Sequence, residues 1–198
     1  MTKMLFFDIE SGGLTTDHAI LQISGIIDIN GKVMEEFDFY VKPFPTDLID
    51  DKALEINGIK REEIENFEEP SIVCKKIITI FNKYIDKYDK TDKFILIGHN
   101  IVHFDVPMLI NWFYKNNEKY FGSFLNLKKK LDTLCLVESM RVLKVLPDSP
   151  NNKLGVLCEE YGIKAENLHN SLNDIRVNRE LAYKLAKLIK FNLKGDIF

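Results

Sequence analysis

The apolar positions of the chain change rhythm along its length. Leu5-Phe6-Phe7 is a short solid run that leads into Asp8-Ile9-Glu10, and Ser11-Gly12-Gly13 breaks it. Such a run, bounded by glycine, predicts a buried strand over Leu5–Glu10. Ile20–Ile29 reads as a second strand, and Asn30-Gly31 behind it is a tight hairpin signal. In a third, Val33–Val41, the residues Phe37, Phe39 and Val41 alternate with polar ones before Pro43 stops the pairing. Three consecutive strands predict an antiparallel meander.

The period then lengthens to that of a helix. A short helix is predicted over Asp47–Ile56, stopped by Asn57-Gly58. Within Ser71–Tyr88, Val73, Ile77, Ile80, Phe81 and Ile85 fall on one stripe. Phe94–Ile97 is wholly apolar, as a strand covered on both faces would be, and a helix follows from about Pro107 through Trp112 and Tyr114. Leu131 marks a fifth strand. Further helices are predicted over Thr133–Leu146, over Leu154–Tyr161 with Gly162 as its stop, and over Ser171–Phe191. No repeat or low-complexity linker interrupts the pattern. A meander followed by alternating helix and strand predicts an α/β fold. The expected sheet is five-stranded and mixed, of order 3-2-1-4-5 with helices on both faces, in a single domain over residues 1–198.

Composition narrows the function. Hydrophobic residues make up 45% and charged residues 29%, an ordinary globular mixture. A net charge of −3 counts against a protein that coats long duplex through many phosphate contacts. No segment has the length and apolarity of a secretory core or a bilayer span, so a cytoplasmic, membrane-free protein is expected. Cys74, Cys135 and Cys158 are odd in number, far apart and set in apolar helical patterns, which predicts reduced core thiols.

The candidate chemistry sits at element boundaries. Asp8 and Glu10 are two apart on a strand, so their side chains share one face. Two like charges at the end of a buried strand repel and lose hydration unless cations neutralise them, and Mg²⁺ prefers such oxygen ligands. Asp-x-Glu alone is also a common surface accident. Asp105 follows the fourth strand through Gly98-His99-Asn100, where ligands gather in open sheets; taken alone, it reads first as the cap of the helix near Pro107. In His169-Asn170-Ser171-Leu172-Asn173-Asp174, Ser171 and Asp174 have capping-box spacing, while His169 at a helix mouth has the pKa range of a general base. Taken together, four carboxylates suit a pair of divalent ions roughly 3.5–4 Å apart on a phosphodiester.

These motifs resemble those of the DEDD exonucleases with histidine in the third motif (DEDDh), part of the DnaQ-like, ribonuclease H-like superfamily. Phe7 through Leu14 resembles the first motif, His99 through Pro107 the second, and His169 through Asp174 the third. Gln22–Gly25, Ala53–Ile59, Asp132–Leu134 and Lys153–Ile163 also sit where that family has similar segments. The second motif has one residue more between His99 and Asp105 than polymerase III epsilon-like proofreading subunits show, which is closer to TREX-type and stand-alone members. Ser11-Gly12 stands for the commoner Thr-Thr, and Asn57 stands where many relatives carry histidine.

The resemblance implies a ribonuclease H-like αβα sandwich and a two-metal 3′→5′ exonuclease that releases nucleoside 5′-monophosphates. Asp8, Glu10, Asp105 and Asp174 would hold two Mg²⁺ or Mn²⁺ ions, with His169 as the base that activates water. Gly13, Leu14, His99, Asn100 and Phe104 would touch the terminal nucleotides, although core packing is the alternative for Leu14 and Phe104. Single-stranded DNA or RNA 3′ ends are the expected partners, with DNA favoured; a polymerase or a second copy is compatible too. Lys128-Lys129-Lys130 reads as a solvated surface before it reads as a phosphate guide. Three rivals stay open: an exoribonuclease on short RNA, a non-catalytic nucleic-acid-binding module, and a two-metal phosphatase on free nucleotides.

Overall fold

The computed structural model describes residues 1–165 and 170–192, with side chains to residue 190. Its strands are β1 (Lys3–Ser11), β2 (Ile20–Ile29), β3 (Lys32–Tyr40), β4 (Phe94–Gly98) and β5 (Leu125–Asp132), in the order β3-β2-β1-β4-β5. β1 pairs antiparallel with β2, and β2 with β3, whereas β4 runs parallel to both β1 and β5. This is the expected mixed sheet with β1 at its centre. The helices are α1 (Asp51–Asn57), α2 (Pro70–Tyr84), α3 (Asp105–Lys115), α4 (Thr133–Val142), α5 (Leu154–Glu160) and α6 (Ser171–Asn192).

Strand parity divides the core. Leu5, Phe7 and Ile9 face one layer, where they pack with Val73, Ile77 and Phe81 of α2 and Val106 and Leu109 of α3. Phe6 faces the other layer with Ile26, Ile97, and Ile175 and Ala182 of α6. Asp8 and Glu10 share the parity of Phe6. The face that starts apolar under α6 therefore ends in two carboxylates. Asn30 (φ 54°) and Gly31 (φ 86°) supply the left-handed pair that a two-residue hairpin between β2 and β3 requires.

One buried carboxylate ties α6 to that hairpin. Asp28 on β2 is fully buried and accepts hydrogen bonds from Gly31 N (2.7 Å), Arg179 Nε (2.8 Å) and Tyr183 Oη (3.0 Å). Arg179 and Tyr183 are four apart and so lie on one helix face.

Element ends differ from the expected ones for local reasons. α1 starts at Asp51, not Asp47, because Leu48 is drawn into extended pairing: its N–H donates to Asp17 O and its carbonyl accepts from Ala19 N, both at 2.9 Å. α2 ends at Tyr84, not Tyr88; beyond it the N–H groups of Asp86 and Tyr88 go to the carboxylates of Asp92 and Asp86. α4 ends at Val142 and Lys144 turns left-handed (φ 59°), which no helix of L-residues continues through. β5 begins at Leu125, well ahead of Leu131, and slips register opposite Ile95 and Leu96. Its exposed Lys128 and Lys129 lie in that irregular stretch, a combination that discourages pairing at a sheet edge. Cys74 and Cys158 are buried and Cys135 partly so; burial pushes the Cys74 and Cys158 thiols up to about 11, the inert state of core thiols. Among the described residues no helix is long and apolar enough to cross a membrane.

Removing one partner of a buried charged network strands the other. Asp28→Ala should therefore lower unfolding free energy by about 3–5 kcal/mol in urea titrations, and a loss below about 0.5 kcal/mol would contradict the role given to Asp28.

Candidate active site

The site forms where the central strand runs out. Asp8 lies opposite Ser24 and Glu10 opposite Gln22 on β2, and a register shift at Glu10/Ser11 ends the regular pairing. Ser11 Oγ then donates to Gly13 O (2.7 Å), and Gly12 N to Ala19 O (2.8 Å), folding the glycine turn back on itself. The His18 ring fills the space beside Gly13 so closely that a Cβ there would lie 2.1 Å from it, which explains the glycine.

The second motif is shaped by a buried acid outside the predicted site. Asp132, at the end of β5, accepts N–H groups from Asn100 (2.8 Å), Val102 (3.0 Å) and Leu134 (3.0 Å). It thereby caps α4 and folds the loop over residues 99–104, in which Asn100 is left-handed (φ 65°). The loop delivers Asp105 as the first residue of α3, two residues ahead of the expected start. Asp105 does not cap that helix: the N-cap position is Phe104, and Asp105 Oδ1 instead accepts the Ile9 N–H (3.1 Å) from β1. A third carboxylate is thus fastened, at 3% exposure, between Asp8 and Glu10.

The third motif enters from α6. Ser171 is the first helical residue and not its cap; the Asn170 side chain accepts the Asn173 N–H (3.3 Å), and Asn170 O accepts from Asp174 N (3.0 Å). Carboxylate oxygens of Asp8, Glu10 and Asp174 lie within 4.8 Å of one another. His169 lies outside the described residues.

Crowded acids resist ionisation. Burial, then Asp105, Glu10 and Asp174 in turn, hold the Asp8 carboxyl well above its usual range. Burial and then Asp174 and Asp105 push Glu10 up to about 8. Asp105 is pushed to about 7, chiefly by burial, although the Ile9 N–H works the other way. This is the condition a divalent cation relieves, and an all-oxygen donor set suits a hard one.

Two cavities flank the acids. One of about 430 Å³ beside Glu10 is walled by Ile9, Leu14, Ala53, Ile56 and Phe104, with Asn57, Asp50 and Lys52 at its rim. Leu14 is 86% exposed, so core packing does not explain it; Phe104 is half-buried and leans on the core. Asn57 Nδ2 donates to Ser11 O (2.8 Å), joining α1 to the glycine turn. The other cavity, about 700 Å³, lies beside Asp174 and is lined by His99, Asn100 and the loop Pro150–Lys153. His99 is largely committed internally, its Nδ1 2.9 Å from Thr133 Oγ1, and burial pulls its pKa down. Ala53, Ile56 and Asp132 were not among the expected site residues. The signal for Asp132 was an acid directly before a helix start; for Ala53 and Ile56 it was the Ala53–Ile59 segment, whose family resemblance singles out neither residue.

The exonuclease family model of the RNase T type matches residues 5–182, and the chain belongs to that family. It is 30% identical over 204 residues to exodeoxyribonuclease I of Buchnera aphidicola, a match spanning 95% of this chain and 39% of that protein. It is also 26% identical over 193 residues to Protein NEN2 of Arabidopsis thaliana (95% and 36%). The chain therefore spans less than two fifths of the length of these relatives. Among solved structures, E. coli exonuclease I in complex with a dT13 oligonucleotide superposes with a TM-score of 0.79 at 22% identity, over 96% of this chain and 43% of that one. The fold is ribonuclease H-like.

The crowding has a sign in stability. A carboxyl whose folded pKa is raised stabilises fully below its ordinary value and loses that contribution as pH rises towards the folded one, for Glu10 from 4.5 to about 8. Metal-free protein should melt progressively lower from pH 5 to pH 8, and Mg²⁺ should restore more at pH 8 than at pH 5. Asp8→Asn should raise the metal-free melting temperature at pH 8 by roughly 2–4 °C for each kcal/mol of repulsion removed. A lower melting temperature for Asp8→Asn would contradict the crowding account.

Proposed function

We propose that the chain is a metal-dependent 3′→5′ exonuclease acting on single-stranded DNA ends. The observation that carries this reading is the convergence of Asp8, Glu10 and Asp174 from two distant elements, with Asp105 fastened to the backbone between the first two. That these residues hold cations, and that Gly13, Leu14, His99, Asn100 and Phe104 meet substrate, is part of the proposal. DNA is favoured because a 30% identical relative is an exodeoxyribonuclease and structural neighbours were solved with dT13 and dA16 oligonucleotides.

In this mechanism Asp8, Glu10, Asp105 and Asp174 would hold two Mg²⁺ or Mn²⁺ ions at the end of β1. Bound there, the ions would lower the pKa of water and offset the charge on the departing oxygen. The terminal base lies in the 430 Å³ cavity, against the Leu14, Ile56 and Phe104 side chains of its lining. The His169 imidazole takes a proton from the attacking water. Water oxygen bonds to phosphorus, the bond to the 3′ oxygen breaks, and that oxygen takes a proton from solvent, leaving a nucleoside 5′-monophosphate.

On 5′-labelled single-stranded DNA with Mg²⁺ or Mn²⁺, the chain should shorten the strand stepwise and release 5′-monophosphates, and chelator should stop it. Release of inorganic phosphate, or faster digestion of a matched RNA, would overturn the substrate assignment. His169→Ala should lower kcat by roughly 10²–10⁴-fold with oligonucleotide binding retained. Leu14→Ala should raise KM by roughly 10- to 150-fold through lost apolar packing of about 1.5–3 kcal/mol, with metal affinity unchanged.

A further inference from the structure

The proposed mechanism requires Asp174 to meet Asp8, which leaves open what sets the first turn of α6 against the sheet. Ser171 opens that turn, three residues before Asp174, and positions so spaced share a helix face. Ser171 is fully buried, and its Oγ is hydrogen-bonded to Ser24 Oγ, which is also fully buried. Ser24 stands on β2 directly opposite Asp8. Its Oγ also donates to Asp38 Oδ1 on β3 (2.7 Å), and the same oxygen accepts from Gln22 Nε2 (2.8 Å), which stands opposite Glu10. A carboxylate only accepts, so the single Ser24 proton goes to Asp38, and Ser171 must be the donor to Ser24.

We infer that Ser171, Ser24 and Asp38 form a positioning relay that holds Asp174 in register with Asp8 and keeps neighbouring donors off the catalytic carboxylates. Both effects come from the one direction of hydrogen bonding. The tie to Ser24 fixes the first turn of α6, while farther along the helix Asn178 bonds Thr133 Oγ1 (2.9 Å) and Arg179 bonds Asp28. Those later ties leave the fold standing if the first is lost. The pull of Asp38 turns the Ser24 hydroxyl and the Gln22 amide away from Asp8 and Glu10. Among the described residues, no side-chain donor hydrogen-bonds either of those two acids, so their charge is left for a cation. None of the three relay residues touches substrate; they act through Asp174, Asp8 and Glu10.

This inference rests on the cation-binding reading of the site, and its test separates the two. Mn²⁺ binding would be measured by calorimetry on the full chain for wild type, Ser171→Ala, Ser24→Ala, the double variant and Asp38→Ala, alongside metal-free melting curves. The two serine variants should each weaken Mn²⁺ binding by about fivefold, the scale of one lost hydrogen bond, and the double variant should be no weaker than Ser24→Ala alone. Asp38→Ala, which strands the buried Ser24 hydroxyl and Gln22 amide, should weaken binding in the same direction, with the melting curve showing that the chain stays folded. In turnover, kcat should fall with KM for the oligonucleotide unchanged. Wild-type affinity in Ser171→Ala and Asp38→Ala, or additive effects of the two serines, overturns the relay. A wild-type chain that takes up no Mn²⁺ overturns the cation-binding reading itself.

Discussion

The structure is organised around like charge buried at the end of its most enclosed strand. β1 has a strand on either side and helices on both faces, so Asp8 and Glu10 are brought by the fold into a place where carboxylates ionise poorly. Asp105 and Asp174 make the crowding worse. Selection for stability alone would put apolar residues here, as it does at Phe6 and Ile26 two steps down the same face. The arrangement makes physical sense when divalent cations complete it.

The rest of the molecule holds that arrangement at the required distances. Asp28 locks the middle of α6 to the β2–β3 hairpin, and the serine contact locks its first turn, so Asp174 arrives from a helix fixed at two places. Asp132 gathers three backbone N–H groups and so sets the loop that presents Asp105. The glycine turn after β1 is braced by Asn57 and packed by His18, and it projects Leu14 beside Glu10. The acids lie on a strand and two helices, while the exposed Leu14 lies on a turn.

Much of this was legible in the chain because the signals were local. The parity of Asp8 and Glu10, the wholly apolar Phe94–Ile97 run and the Asn30-Gly31 turn each follow from neighbouring residues, and together they predict the sheet order found. What local pattern could not show depends on partners far away in sequence. Leu48 leaves the helical pattern of Asp47–Ile56 because its backbone pairs with Asp17 and Ala19. Ser171 reads as a cap by spacing, yet its hydroxyl is taken by Ser24, and Asn170 caps instead. Asp105 reads as a helix cap, yet it bonds the N–H of Ile9, 96 residues earlier. Asp132 carries no signal of the loop it organises, since its partners include residues 30 and 32 positions away.

Anomalous diffraction from Mn²⁺-soaked crystals tests the central claim most directly. Two peaks bounded by the carboxylates of Asp8, Glu10, Asp105 and Asp174, roughly 3.5–4 Å apart, are what the account requires. Those four side chains turned away from one another, or featureless density between them at saturating manganese, would contradict it.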